Sequence, residues 1–119
     1  MDSSSFCQSL CEARILGLAL DLGQKRLSMS LERNEAGVVQ LFAIEARGLR
    51  ALEYSDPDAA PWDHVELTEI TLQHLPAPEE GWHLSANLWD VSELSVECEA
   101  LWIDGVLLQY TGDCHHGAP

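Results

Sequence analysis

Few residues in this chain have types and spacings that could do chemistry. His64 follows Asp63 and lies near Trp62, which makes it the best single general-base candidate. The sequence places no nucleophile beside it. Glu97 and Glu99 are spaced so that a strand would put both carboxylates on one face. Glycoside chemistry needs two acids a few ångströms apart, but a solvated sheet face accounts for this pair as simply. Cys7 and Cys11 would share a helix face, and Cys114-His115-His116 could add thiolate and imidazole, which zinc accepts. The second set is a contiguous triplet rather than a well-spaced pair, so no metal is assigned and buried or free thiols are expected. Asp56-x-Asp58 begins like a calcium loop. Pro61 then stands where that loop needs glycine, and Leu67 where it needs glutamate.

No nucleotide, metalloprotease or serine-hydrolase motif is present. Lys25 is the one lysine, so phosphate grasping and Schiff-base chemistry have little to work with. No cofactor is assigned, and enzymatic activity is the lesser reading.

The charge is more informative. The 119 residues carry a formal net charge of −14. Every basic residue (Arg14, Lys25, Arg26, Arg33, Arg47, Arg50) lies in the first fifty, where six acids balance them. The remaining fourteen acids all lie in residues 51–119, without one Lys or Arg. Nucleic-acid phosphate and anionic lipid are therefore excluded as partners. A cationic protein partner suits such a surface, and so does plain solubility.

The elements read as strands. Ser5-x-x-Gln8 suggests a capping box for a short helix near residues 4–11. Leu16, Leu18, Leu20 and Leu22 alternate, as do Leu27, Met29 and Leu31 after a turn at Gly23-Gln24-Lys25. Asn34–Gly37 reads as a hairpin loop, and Gly48 as a bulge inside the next strand. A helix over Leu49–Tyr54 is the competing reading there. A bulge near Thr68-Glu69 reconciles the phases of Leu67 and Ile70. Trp82 to Leu88 and Leu94 to Trp102 alternate again, which puts Trp82 and Trp102 in core phase. Asp104-Gly105 is the strongest two-residue hairpin signal.

These readings predict one all-β (or β-rich α+β) domain over residues 1–119. It is a mainly antiparallel sandwich or strongly curled sheet of seven to eight short strands, with a short N-terminal helix. Residues 112–119 are expected to fray. No apolar run is long enough for a transmembrane helix, and no basic n-region marks a signal peptide, so a cytoplasmic protein is expected.

The function expected is non-catalytic binding of a cationic protein or peptide. Trp62 and Trp89 would be the anchors, ringed by Asp56, Asp58, Asp63, Glu66 and Asp90. In size and charge only, the chain is similar to the bacterial immunity proteins that neutralise basic toxins. One alternative is a small-ligand or enzymatic β domain with a pocket near Trp62 and His64. Another is a structural, self-associating protein. A homodimer is expected through the uncharged run Val106–Leu108 at a sheet edge.

Overall fold

The computed structural model describes residues 2–57, 61, 65–89 and 91–117. A helix, α1 (Ser3–Leu10), precedes eight strands: β1 (Arg14–Asp21), β2 (Arg26–Glu35), β3 (Val38–Ser55), β4 (Val65–Leu75), β5 (Gly81–Leu88), β6 (Ser92–Ile103), β7 (Val106–Leu107) and β8 (Cys114–Gly117). All named strand pairs are antiparallel, in the order β1-β2-β3-β6-β5-β4-β8, with β7 on β6. A further pairing of β1 with β4, at Arg14–Glu66 and Ile15–Val65, joins the two ends into a six-strand ring. The curled antiparallel sheet expected from the alternation is what forms, and Leu49–Tyr54 is strand.

Much of the punctuation falls where turn chemistry put it. Asp104-Gly105 joins β6 to β7, with Trp102 facing Leu107 and Ile103 facing Val106. A register shift occurs between Leu67 and Glu69 on β4, as expected, whereas on β3 it lies between Leu49 and Ala51, beyond the Gly48 expected to carry it. The helix cap is Asp2 rather than Ser5: its carboxylate accepts from the Ser5 backbone N–H at 2.8 Å, one of the donors a helix start leaves unpaired.

The core fills the ring. Phe6 and Leu10 of α1 pack there with Leu27, Leu31, Ile44, Ile70, Leu72, Val96 and Leu101. Burial changes phase midway along the two longest strands. On β6, Leu94, Val96 and Cys98 point inward, then Leu101 and Ile103 do. On β3 the inward residues are Ile44 and Ala46, and beyond Gly48 the half-buried Leu49 and Leu52. Trp102 is therefore not a core residue: Leu101 and Ile103 take that side, and Trp102 lies half-buried on the outer face.

The β1 leucines also depart from expectation. Leu16, Leu18, Leu20 and Leu22 are all exposed, although Leu18 and Leu20 stand opposite the buried Met29 and Leu27. Their alternation has the expected phase, but β4 covers β1 only at Arg14 and Ile15.

Within the stretch expected to fray, Cys114–Gly117 form strand β8. Cys114, His115, His116 and Gly117 face Leu72, Thr71, Ile70 and Glu69 on β4. A Cys7–Cys114 disulfide ties β8 to α1, and the Ser3 hydroxyl donates to the Gly112 carbonyl at 2.7 Å. Cys7 and Cys114 are thus neither free thiols nor zinc ligands. Cys11 and Cys98 are free and buried, and no metal-binding cluster occurs among the described residues.

Four outcomes are expected. Leu84→Asp or Val96→Asp puts an unpaired charge among buried residues and should cost more than about 4 kcal/mol, read by chemical denaturation. Burial pushes the Cys98 thiol up to about 12 and raises that of Cys11, so neither should alkylate at pH 8 until the chain unfolds. The unfolded chain ionises first, so the Cys98 contribution to stability is present below pH 9 and lost as pH rises from there toward 12. In denatured, unreduced protein, two thiols rather than four should titrate.

Candidate functional site

The outward side of the acidic half is a polar sheet face. Cross-strand register aligns Glu53, Ser95, Ser85, Thr71 and His115 in one row across β3, β6, β5, β4 and β8. A second row holds Ser55, Glu93, Asn87 and Glu69. A third holds Ala51, Glu97, His83 and Gln73. Directly opposed residues share a face, so Glu53, Glu69, Glu93 and Glu97 belong to one surface.

Part of this face is internally bonded. His83 Nε2 and Ser95 Oγ are 2.7 Å apart. His115 Nε2 and Asn87 Nδ2 approach the Glu69 carboxylate at 2.9 and 3.4 Å. Glu97 meets the Arg50 guanidinium at 3.7 Å. That guanidinium is already shared: it donates to the carbonyls of Glu79, Glu80 and Cys98. Among the described residues no cation pairs with Glu53 or Glu93. A Ser–His hydrogen bond is the first element of a nucleophilic site. Here Glu97, the acid opposite His83, pairs with Arg50 rather than orienting the imidazole, and Ser95 is half-buried on the outer sheet face.

The other arginines are occupied elsewhere. Arg26 and Arg47 both pair with Glu45, at 2.6 and 3.1 Å, and Arg47 lies 4.4 Å over the Trp102 ring. Arg14 approaches Glu32 at 3.8 Å, and Arg33 donates to the Gln8 carbonyl at 2.6 Å. Arg14, Arg26 and Arg47 thus pair with first-half carboxylates, and among the described residues Arg50 is the one Lys or Arg that reaches a second-half acid.

Two of the residues selected from sequence, Glu66 and Trp89, sit at one end of the acidic face, and Asp56 lies just past the end of β3. Trp89 ends β5 with a positive φ of 54°, and its N–H donates to the Glu66 carbonyl at 3.1 Å. Asp56 follows Ser55, which faces Glu93, and accepts from the Tyr54 hydroxyl at 3.1 Å. Trp62, Asp58, Asp63 and Asp90, with His64 and the pocket expected near it, lie outside the described residues. Sequence reasoning missed Glu53, Glu69, Glu93 and His83. Alternation alone could have turned Glu93 and Glu97 outward together, but only strand order sets Glu53 and Glu69 beside them. Near this face, at the level of Gly81, a depression of about 790 Å³ is lined by Arg50, His74, Glu79, Glu80 and Glu99. His74 stacks on Tyr110 at 4.7 Å beside it.

The hydrogen bond from Arg47 holds the Glu45 carboxyl below its ordinary range, with further help from the nearby Arg26 charge. Its contribution to stability is therefore present above the unfolded value and lost as pH falls through the folded one. Arg47→Gln should return the Glu45 titration midpoint, followed by carboxyl NMR, toward that of a free glutamate.

No protein-family model matches this sequence, and no curated protein is significantly similar to it.

Proposed function

We propose that this chain is a non-catalytic binding protein whose acidic sheet face receives a cationic protein or peptide. The observation that carries this reading is the register that sets Glu53, Glu69, Glu93 and Glu97 on one surface, while most of the arginines pair with glutamates elsewhere. Like charges held this close raise the energy of the folded chain, and a polycation relieves that repulsion. Trp89, Glu66 and Asp56 extend the surface at one end, with Trp89 as the aromatic anchor. Asp58, Trp62, Asp63 and Asp90 belong to the same proposal by sequence proximity.

Charge of this kind acts first on the rate of encounter, so association should slow steeply as salt rises. The Cys7–Cys114 bridge supports residence in an oxidising compartment rather than the cytoplasm expected from sequence, because cytosolic thiols are held reduced.

Titration of an arginine- and lysine-rich peptide tests the reading, with the wild type beside Glu53→Gln/Glu93→Gln/Glu97→Gln. Rim charges are each worth up to about 1 kcal/mol, so the triple variant should bind roughly tenfold or more weakly at low salt. A variant neutralised at Glu32 and Glu35, on the other half, should bind as the wild type does. Equal affinity for wild type and triple variant would leave the acidic face as a solubilising surface only.

A further inference from the structure

The strand β1 is flanked on both sides only at its start. β2 follows it from Arg14 to Asp21, whereas β4 meets it at Arg14 and Ile15 alone. From Gly17 to Asp21, among the described residues, the second edge of β1 carries no strand. Its leucines are open as well: Leu16 is 57% exposed, Leu18 45%, Leu20 43% and Leu22 76%. Leu18 and Leu20 face the same way as Met29 and Leu27, which are buried, so they extend the core beyond its cover. Edge strands are ordinarily blunted by lysine, proline or a twist away from approach. Between Leu16 and Leu22 the one charged residue is Asp21.

We propose that this edge pairs antiparallel with the same edge of a second copy, forming a two-fold homodimer. An isologous contact across a continuous sheet joins residues on like faces. All five open residues find partners only when Ala19 faces the second copy's Ala19. Leu18 of each copy then faces the other's Leu20. Asp21 faces Gly17, so the one carboxylate in the stretch meets no other.

Charge selects the occupant. A protein of net charge −14 is repelled by its own kind over most of its surface, yet residues 1–50 are formally neutral and β1 lies within them. Approach through β1 brings neutral half to neutral half and does not set one acidic face against another. The run Val106–Leu108, expected to supply a dimer edge, fits less well. Only Val106 and Leu107 pair there, and Leu108 is buried, its N–H bonded to the Leu101 carbonyl at 2.9 Å.

Sedimentation velocity over a concentration series, at low and high salt, tests the dimer. The wild type should sediment at twice the chain mass, more completely at high salt as the net charge is screened. Leu18→Lys/Leu20→Lys, at exposed sites, should sediment as a monomer with an unchanged circular dichroism spectrum. A wild type that is monomeric throughout overturns the proposal, as does a folded lysine variant that still dimerises. Should the lysine variant not fold, Ala19→Cys decides: mild oxidation should link two copies through residue 19, while Val106→Cys should not link them. Failure of Ala19→Cys to cross-link also overturns the register.

Discussion

The pairing of β3 with β6 is the constraint on which the rest depends. These are the two longest strands, and they run beside each other for almost the whole length of β6. Both change which face is buried at the same level, between Ala46 and Leu49 on one and between Leu101 and Cys98 on the other. One continuous ladder therefore supplies opposite faces to one core. Beyond it, β1 and β2 extend the sheet on one side, and β5 and β4 on the other. The crossing needs room. Gly48 has a φ of +66°, and a Cβ there would stand 2.7 Å from the Glu99 side chain. At the same level on the neighbouring strand, a Cβ on Gly81 would meet the Cys98 carbonyl oxygen at 2.2 Å. A side chain at Gly81 would therefore push β5 away from β6, where the two strands must pair.

Closure of the ring is short. Two residue pairs between β1 and β4 complete the ring. α1 lies against β4 and β8 and adds Phe6 and Leu10 to the core. The Cys7–Cys114 bridge joins residues 107 apart in sequence, and cross-links over loops of that length restrict the unfolded chain by about 5 kcal/mol in the chain-entropy account. A helix of eight residues has little stability of its own. Its place is secured by the disulfide, by the Ser3 hydrogen bonds to Thr111 and Gly112, and by its two large apolar side chains.

Local chemistry was legible in the sequence, and cover was not. Asp104-Gly105 and the Thr68-Glu69 bulge are fixed by neighbouring residues, so they could be read from the chain alone. The leucines of β1 alternate as a buried strand should, but their exposure depends on where β4 stops covering them, which no local pattern records. Alternation carried forward from Leu94 puts Trp102 in core phase because it does not record the change of buried face between Cys98 and Leu101. Cys7 and Cys114 are brought together by β8 adding to β4, a contact between distant segments. The acidic candidates divide in the same way. Asp56, Glu66 and Trp89 stand out in the sequence as neighbours of aromatic or acidic residues, whereas Glu53 and Glu69 join Glu93 and Glu97 only through strand order.

Segregation of charge along the chain becomes segregation across the fold because the chain order is kept in the sheet. β1, β2 and the first half of β3 come from the neutral fifty residues. The second half of β3, with β4, β5 and β6, comes mostly from the acidic remainder. Short-range pairing then deepens the division: Glu45 takes two arginines and Glu32 another, all within the neutral half. Arg50, at the boundary, spends most of its donors on backbone carbonyls and, among the described acids, reaches only Glu97. Screening confines each exposed charge to about 8 Å at physiological ionic strength, so the arginines around Glu45 cannot offset acids several strands away. The two halves therefore present different physics to solvent: one nearly neutral with an open apolar strand edge, the other a face of carboxylates with little cation of its own.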